Sequence, residues 1–303
     1  PAPTLPRRTR TIRDDDAAVR AVGVEAFRRM NIHSSIVAGL CLLAPMAALA
    51  HALQPSMADE PAVTARLIGE ADALVPGATF YLGVDFEIAE GWHMYWKNPG
   101  ESGAVARVSL DLPEWIRAGE VQWPTPDRLV LPGGILDYVH HDSLTLIIPL
   151  TISPDAPMGT TAEIGASLWW LMCDDEICVP GSAERVLKLP VSGTAAASRE
   201  EGVFQRARRL HPVPTPAGAL VAAWDGDRLT LTVPGATRLA FLPDLAPSPQ
   251  PVDMATAGEA KGDRLIIGFD DAPAAPLTGT LVVRDASNKP AFWAVELPPP
   301  TAP

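Results

Sequence analysis

Two cysteines separated by four residues are the side chains in this sequence best suited to chemistry. Cys173 and Cys178 enclose the short run Asp174–Ile177, which holds three acidic residues. The third cysteine, Cys41, lies in an apolar run near the N-terminus, so the rest of the chain carries a single pair. In a compartment that permits disulfides these two thiols are expected to pair with each other, and thiol–disulfide exchange is the chemistry that the pair offers.

A structural role for this disulfide is the first alternative. Closing so short a loop stabilises a protein by only ~2 kcal/mol, against ~4.7 kcal/mol for a loop of about 100 residues. The spacing also differs from the CxxC pair of thioredoxin-like proteins and from a zinc knuckle, which needs a second ligand pair. Redox exchange is therefore the favoured interpretation.

An adhesion or scaffold module in which the disulfide is incidental stays open as a second reading.

Copper binding is a third reading, because thiolate and thioether sulfurs are the donors that Cu(I) selects. The candidate ligands are Cys173, Cys178 and Met172, with Met94, His93, His140 and His141 as further donors.

The N-terminal part of the chain has the pattern of an export signal. The apolar run from Ile36 to Ala50 follows Arg28 and Arg29, is too short to span a bilayer comfortably, and ends in the small-residue triplet Ala48-Leu49-Ala50. We predict that residues 1–52 are leader and signal peptide and that the mature protein is periplasmic.

The charge balance narrows the range of partners. The net charge is −12, and residues 1–50 carry seven arginines and four acidic residues, which leaves about −15 on the remainder. So acidic a mature chain argues against nucleic acid or an anionic membrane as its partner.

An all-β fold is predicted from two features of the sequence. The 32 prolines and 23 glycines are spread along the chain, and the segments between them show β-branched or aromatic residues at every second position. A β-sandwich is expected over residues 60–192, a helix and proline-rich linker over 193–217, and a second, smaller β module over 218–300. The helix is placed at Ser198–Leu210, with Ser198 and Glu201 spaced as a capping box. The expected strands are Thr79–Ile88, Ala106–Leu110, Leu144–Ile152, Glu163–Leu171, Arg185–Leu189, Leu229–Val233, Arg264–Phe269 and Leu281–Arg284.

Three motifs together resemble the DsbD N-terminal domain family of periplasmic thiol:disulfide interchange proteins, with the ScsB-like branch the nearest match. They are Gly91-Trp92-His93-Met94-Tyr95-Trp96-Lys97-Asn98-Pro99-Gly100, Trp123-Pro124-Thr125-Pro126, and Trp170-Leu171-Met172-Cys173 through Cys178-Val179-Pro180. The resemblance implies an immunoglobulin-like sandwich with the cysteines on a strand pair near its end. It also implies a cap loop, here about Asp127–His141, that opens when a partner docks.

The same resemblance implies roles for individual residues. Cys178 would be the sulfur that bonds to partners and Cys173 the resolving one. Tyr138, His140 and His141 lie in the expected cap and would shield the sulfurs, with solvated loop residues as the alternative reading of the two histidines. Trp92, Tyr95 and Trp96 would support the cysteine end by packing. The implied activity is that of a protein-disulfide reductase type component that needs no cofactor beyond its dithiol. Its partners would be a membrane-embedded DsbD- or ScsB-type electron donor and disulfide-containing periplasmic proteins.

Overall fold

The computed structural model describes residues 62–300, and the predicted leader and signal peptide lie outside that range. No helix between residues 62 and 300 is long and apolar enough to cross a membrane. The first part of the described chain consists of ten strands. They are β1 (Val63–Gly69), β2 (Thr79–Ile88), β3 (His93–Gly100), β4 (Arg107–Asp111), β5 (Ile116–Ala118), β6 (Asp127–Val130), β7 (Leu136–His140), β8 (Ser143–Ile152), β9 (Thr161–Cys173) and β10 (Cys178–Pro190).

These ten strands form two sheets, as the predicted immunoglobulin-like sandwich requires. One sheet has the order β1-β2-β8-β5, and the other has the order β10-β9-β3-β7-β6 with β4 also paired to β9. Strand β9 shows why the two sheets pack together: Ile164, Leu168 and Trp170 alternate with more exposed residues and are buried between the sheets. Phe86 of the opposite sheet meets Trp170 edge to face, with ring centroids 5.4 Å apart.

The predicted helix is shorter than expected and its capping box is wrong. Helix α1 spans Glu201–Arg208 and has no side-chain cap. The Ser198 hydroxyl instead donates to the Gly69 carbonyl, a tertiary contact, and accepts the backbone N–H of Glu200. Phe204 of α1 is buried against the outer face of the first sheet, which explains why β2 and β8 are buried on both faces.

The second β module follows α1 and has a core of its own. Its elements are β11 (Val213–Pro214), β12 (Val221–Asp225), β13 (Arg228–Thr232), β14 (Arg238–Pro243), α2 (Met254–Ala257), β15 (Glu259–Lys261), β16 (Arg264–Gly268), β17 (Leu277–Arg284) and β18 (Pro290–Leu297). They form a five-stranded sheet, β11-β18-β17-β14-β15, and a three-stranded sheet, β12-β13-β16. The stretch expected to be a linker thus supplies β11, which pairs in parallel with β18. The four-residue helix α2 was not predicted.

Candidate redox site

The two cysteines form a disulfide at the end of the sandwich. Cys173 is the last residue of β9 and Cys178 the first of β10, and they lie directly opposite each other with their Cα atoms 4.1 Å apart. The run between them is a tight turn closed by Asp174. Its backbone N–H donates to the Ile177 carbonyl, and its carboxylate accepts the backbone N–H groups of Glu176 and Ile177, each at 2.8 Å. These bonds lower the pKa of Asp174, so the turn keeps its charge.

The two sulfurs lie in different environments. Cys178 is exposed on the edge strand β10, whereas the Cys173 residue is only 2% exposed. Cys173 lies on the outer face of its sheet, where the preceding outward positions of β9 are more accessible. Its burial comes from Tyr95 and Val139, with Leu129 and Leu171 packed around them. A partner molecule can therefore reach one sulfur of the bridge far more easily than the other.

Tyr95 makes the one polar contact to the disulfide among the described residues. Its hydroxyl donates to Cys173 Sγ at 3.0 Å. Burial, and after it the nearby Asp137 carboxylate, raises the pKa of Tyr95, so the phenol keeps its proton near neutral pH. The sequence assigned Tyr95 only a packing role, and no local pattern could indicate a hydrogen bond between residues 78 positions apart.

The loop after β3 covers the ring of Tyr95. The buried carboxylate of Asp137 holds this loop, because its Oδ1 accepts the backbone N–H groups of Glu101 and Ser102 at 3.0 and 2.9 Å. Its Oδ2 accepts the Ser102 hydroxyl. Gly103 then passes so close to Tyr95 that a Cβ added there would lie 2.0 Å from a ring carbon.

Substituting Gly103 should therefore disturb the site more than an ordinary surface change. We expect Gly103→Ala to lower the free energy of unfolding by about 1–3 kcal/mol, because the added methyl group must displace the loop or the ring. The matched control is Gly193→Ala, where the nearest atom to an added Cβ is 3.5 Å away. Urea denaturation of both variants checks this, and equal unfolding midpoints would contradict it.

The predicted cap is a β-hairpin rather than a loop. Strands β6 and β7 pair with each other, and β7 is buried along its whole length and also pairs with β3. Because side chains alternate along a strand, Val139 faces the cysteine side, whereas Tyr138 packs on the other face against Trp96. The structure therefore does not bring Tyr138 to the disulfide. Val139 and Leu129 take that place, and the sequence of β7 has no apolar–polar alternation that could have indicated Val139.

The three histidines near the site lie in different environments. His140 is buried on the face opposite the cysteines, and burial lowers its pKa to about 3, so it stays neutral near pH 7. His93 lies across from Cys173 in the β3–β9 pair. Its ring packs against Tyr95 and against the exposed His141, with centroids 5.4 and 5.8 Å apart. Burial, followed by repulsion from His141, lowers the pKa of His93.

The remaining motif residues lie around the site at different depths. Trp96 is fully buried in a cluster with Tyr138 and Leu242, and Trp92 is half-buried against the sandwich core. Met94 and Met172, two of the candidate copper ligands, pack into that core on the face opposite the disulfide. Within residues 62–300, no group of three or more His, Cys, Asp or Glu side chains is placed to hold a metal ion.

Comparisons with known proteins show a family-model match over the sandwich and a similar fold. Residues 64–190 match the family model described as thiol:disulfide interchange protein DsbD, N-terminal. The N-terminal periplasmic domain of ScsB from Proteus mirabilis has a similar fold, with a TM-score of 0.53 and 17% identity over 81% of this chain and 97% of that one. The reduced DsbD N-terminal domain of Neisseria meningitidis aligns at a TM-score of 0.29 and 13% identity, over 46% of this chain and 91% of that one. No curated protein matches the chain in sequence.

Proposed function

We propose that this chain, whose residues 64–190 match the DsbD N-terminal family model, exchanges its Cys173–Cys178 disulfide with the thiols of partner proteins in the periplasm. One observation carries the proposal: Cys178 is an exposed residue, whereas Cys173 is a buried residue whose sulfur accepts a hydrogen bond. A disulfide with a purely structural role would not require this difference in exposure between its two cysteines.

The exchange follows from the geometry. A partner thiolate attacks Cys178 Sγ, a new sulfur–sulfur bond forms, and the old bond breaks with its electron pair on Cys173 Sγ. The Tyr95 hydroxyl donates to that sulfur and stabilises the thiolate as it leaves. A second partner thiolate then attacks the mixed disulfide at the partner's sulfur and releases Cys178. The domain gains two electrons and, after protonation of its thiolates, two protons, while the partner becomes a disulfide.

The reverse reaction passes those electrons on. Cys178, as the accessible thiolate, attacks the disulfide of a second protein, and Cys173 resolves the mixed disulfide by attacking Cys178 Sγ. We assign the first partner to a membrane-embedded donor of the DsbD or ScsB type and the second to disulfide-containing periplasmic proteins. The reacting groups are the two cysteines themselves, with no further cofactor.

A redox titration tests the proposal. The purified protein without its predicted signal peptide, and hence without Cys41, is equilibrated in glutathione or dithiothreitol buffers, alkylated, and read by intact mass. We expect a reversible midpoint between about −120 and −270 mV, where known exchange proteins lie. A midpoint potential more negative than about −300 mV would mean a structural bridge, as an adhesion or scaffold module would have. That result would overturn the proposal.

A further inference from the structure

The hairpin next to Cys173, formed by β6 and β7 and here called the cap hairpin, has two buried sides. Leu129 and Val139 face the cysteine side, and Leu136 and Tyr138 face the second β module. Whatever holds the second side in place therefore also determines how firmly the first side covers Cys173.

Apolar contacts are the first link between the cap hairpin and the second β module. Tyr138 and Trp96 form one buried cluster with Leu242 of β14, and Met254 of α2 packs against it. The neighbouring strand β3 is tied in by a buried hydrogen bond, in which Asn98 Nδ2 donates to the Pro243 carbonyl at 2.8 Å.

Arg128 is the second link, and it starts on the cap hairpin itself. Its side chain is only 11% exposed and forms an ion pair with Glu259 Oε2 at 3.0 Å. The same guanidinium donates to the carbonyl of Met254 at the start of α2. The other oxygen of Glu259 contacts Arg238 of β14 at 3.0 Å, which fixes the carboxylate in position. Because the Arg128 side chain is largely buried, salt and water screen its charge-assisted hydrogen bonds less than they screen an ion pair on the surface.

We propose that the second β module acts as a brace for the redox site, and that Arg128 is a positioning residue through which the module holds the cap hairpin over Cys173. Cys173 becomes accessible when the cap hairpin moves away from it. Each such opening must also break the contacts of Arg128, because β6 carries both Arg128 and Leu129. Weakening the brace should therefore expose Cys173 more often while leaving Cys178, which is already exposed, unchanged.

The test is the alkylation rate of each cysteine in the fully reduced protein. Iodoacetamide labelling is followed by peptide mass spectrometry for Glu259→Gln, which keeps the shape of the side chain but removes its charge, and for Arg128→Ala. We expect Cys173 to be labelled about five- to tenfold faster in both variants and Cys178 at its original rate, since local opening sets the labelling rate of a buried group. The control is Glu163→Gln, which breaks an ion pair with Lys188 that is more than 60% exposed at both ends and should change neither rate.

Amide hydrogen exchange separates a local effect from general destabilisation. Faster exchange in β6 and β7, with unchanged exchange in the sandwich strands β2 and β8, is expected. An unchanged Cys173 rate in both brace variants would overturn the inference, as would an increase accompanied by equally faster exchange in β2 and β8. The inference stands apart from the proposed function, because a midpoint in the structural range would remove the exchange activity and leave these labelling rates as predicted.

Discussion

In the protein without the predicted leader and signal peptide, and hence without Cys41, the Cys173→Ser variant is expected to accumulate a stable mixed disulfide through Cys178 when it meets a small disulfide such as 5,5′-dithiobis(2-nitrobenzoate). The protein carrying Cys178→Ser should react roughly tenfold or more slowly, because access limits the rate of exchange. In the first variant the reacting sulfur is exposed on an edge strand. In the second, the remaining sulfur is at Cys173, 2% exposed and packed beneath Tyr95 and Val139.

The release of thionitrobenzoate, followed at 412 nm and confirmed by intact mass, gives both rates. The matched control is each variant in denaturant, where its remaining cysteine is exposed and the two rates should converge. A mixed disulfide that forms with Cys178→Ser and not with Cys173→Ser would reverse the assignment of the attacking and resolving sulfurs. Exchange itself would survive that reversal.

Much of the sandwich could be predicted from sequence because its strands carry a strong local signal. Strand β2 was placed at Thr79–Ile88, and the structure has it there. Strands β9 and β10 are longer than predicted, since each continues to its cysteine through residues that the alternation pattern did not include. The pairing of Cys173 with Cys178 followed from counting cysteines, and the disulfide is present.

The surroundings of the sulfurs could not be read in the same way, because they depend on contacts between distant segments. Ser198 had the correct spacing for a helix cap, yet its hydroxyl bonds to Gly69, 129 positions away. The segment expected to form the cap packs against Cys173, but it does so through Val139 and not through its neighbour Tyr138. A difference of one residue reverses the face of a strand, so small uncertainties in register become large errors in a predicted site.

Removing a single oxygen atom from Tyr95 should slow the reaction without disturbing the fold. In Tyr95→Phe the ring still fills its place, but Cys173 Sγ loses its hydrogen-bond donor. A hydrogen bond to a charged group contributes about 1.5–3 kcal/mol, so reduction of the disulfide by dithiothreitol should slow by about tenfold or more. The midpoint should also become more negative by tens of millivolts, because the donor stabilises the reduced form and about 30 mV corresponds to 1.4 kcal/mol.

Tyr138→Phe is the matched control for this effect. It removes the same hydroxyl from a buried tyrosine on the opposite face, in the cluster with Trp96 and Leu242, where it reaches neither sulfur. Stopped-flow reduction of both variants, with unfolding midpoints measured alongside, separates the two roles of a tyrosine here. If Tyr95→Phe reacts as fast as Tyr138→Phe, then Tyr95 only packs against the disulfide. If Tyr95→Phe alone is slow while both variants unfold at the same denaturant concentration, the phenol stabilises the leaving sulfur. The segment 91–100 then supplies a chemical group as well as a packed core.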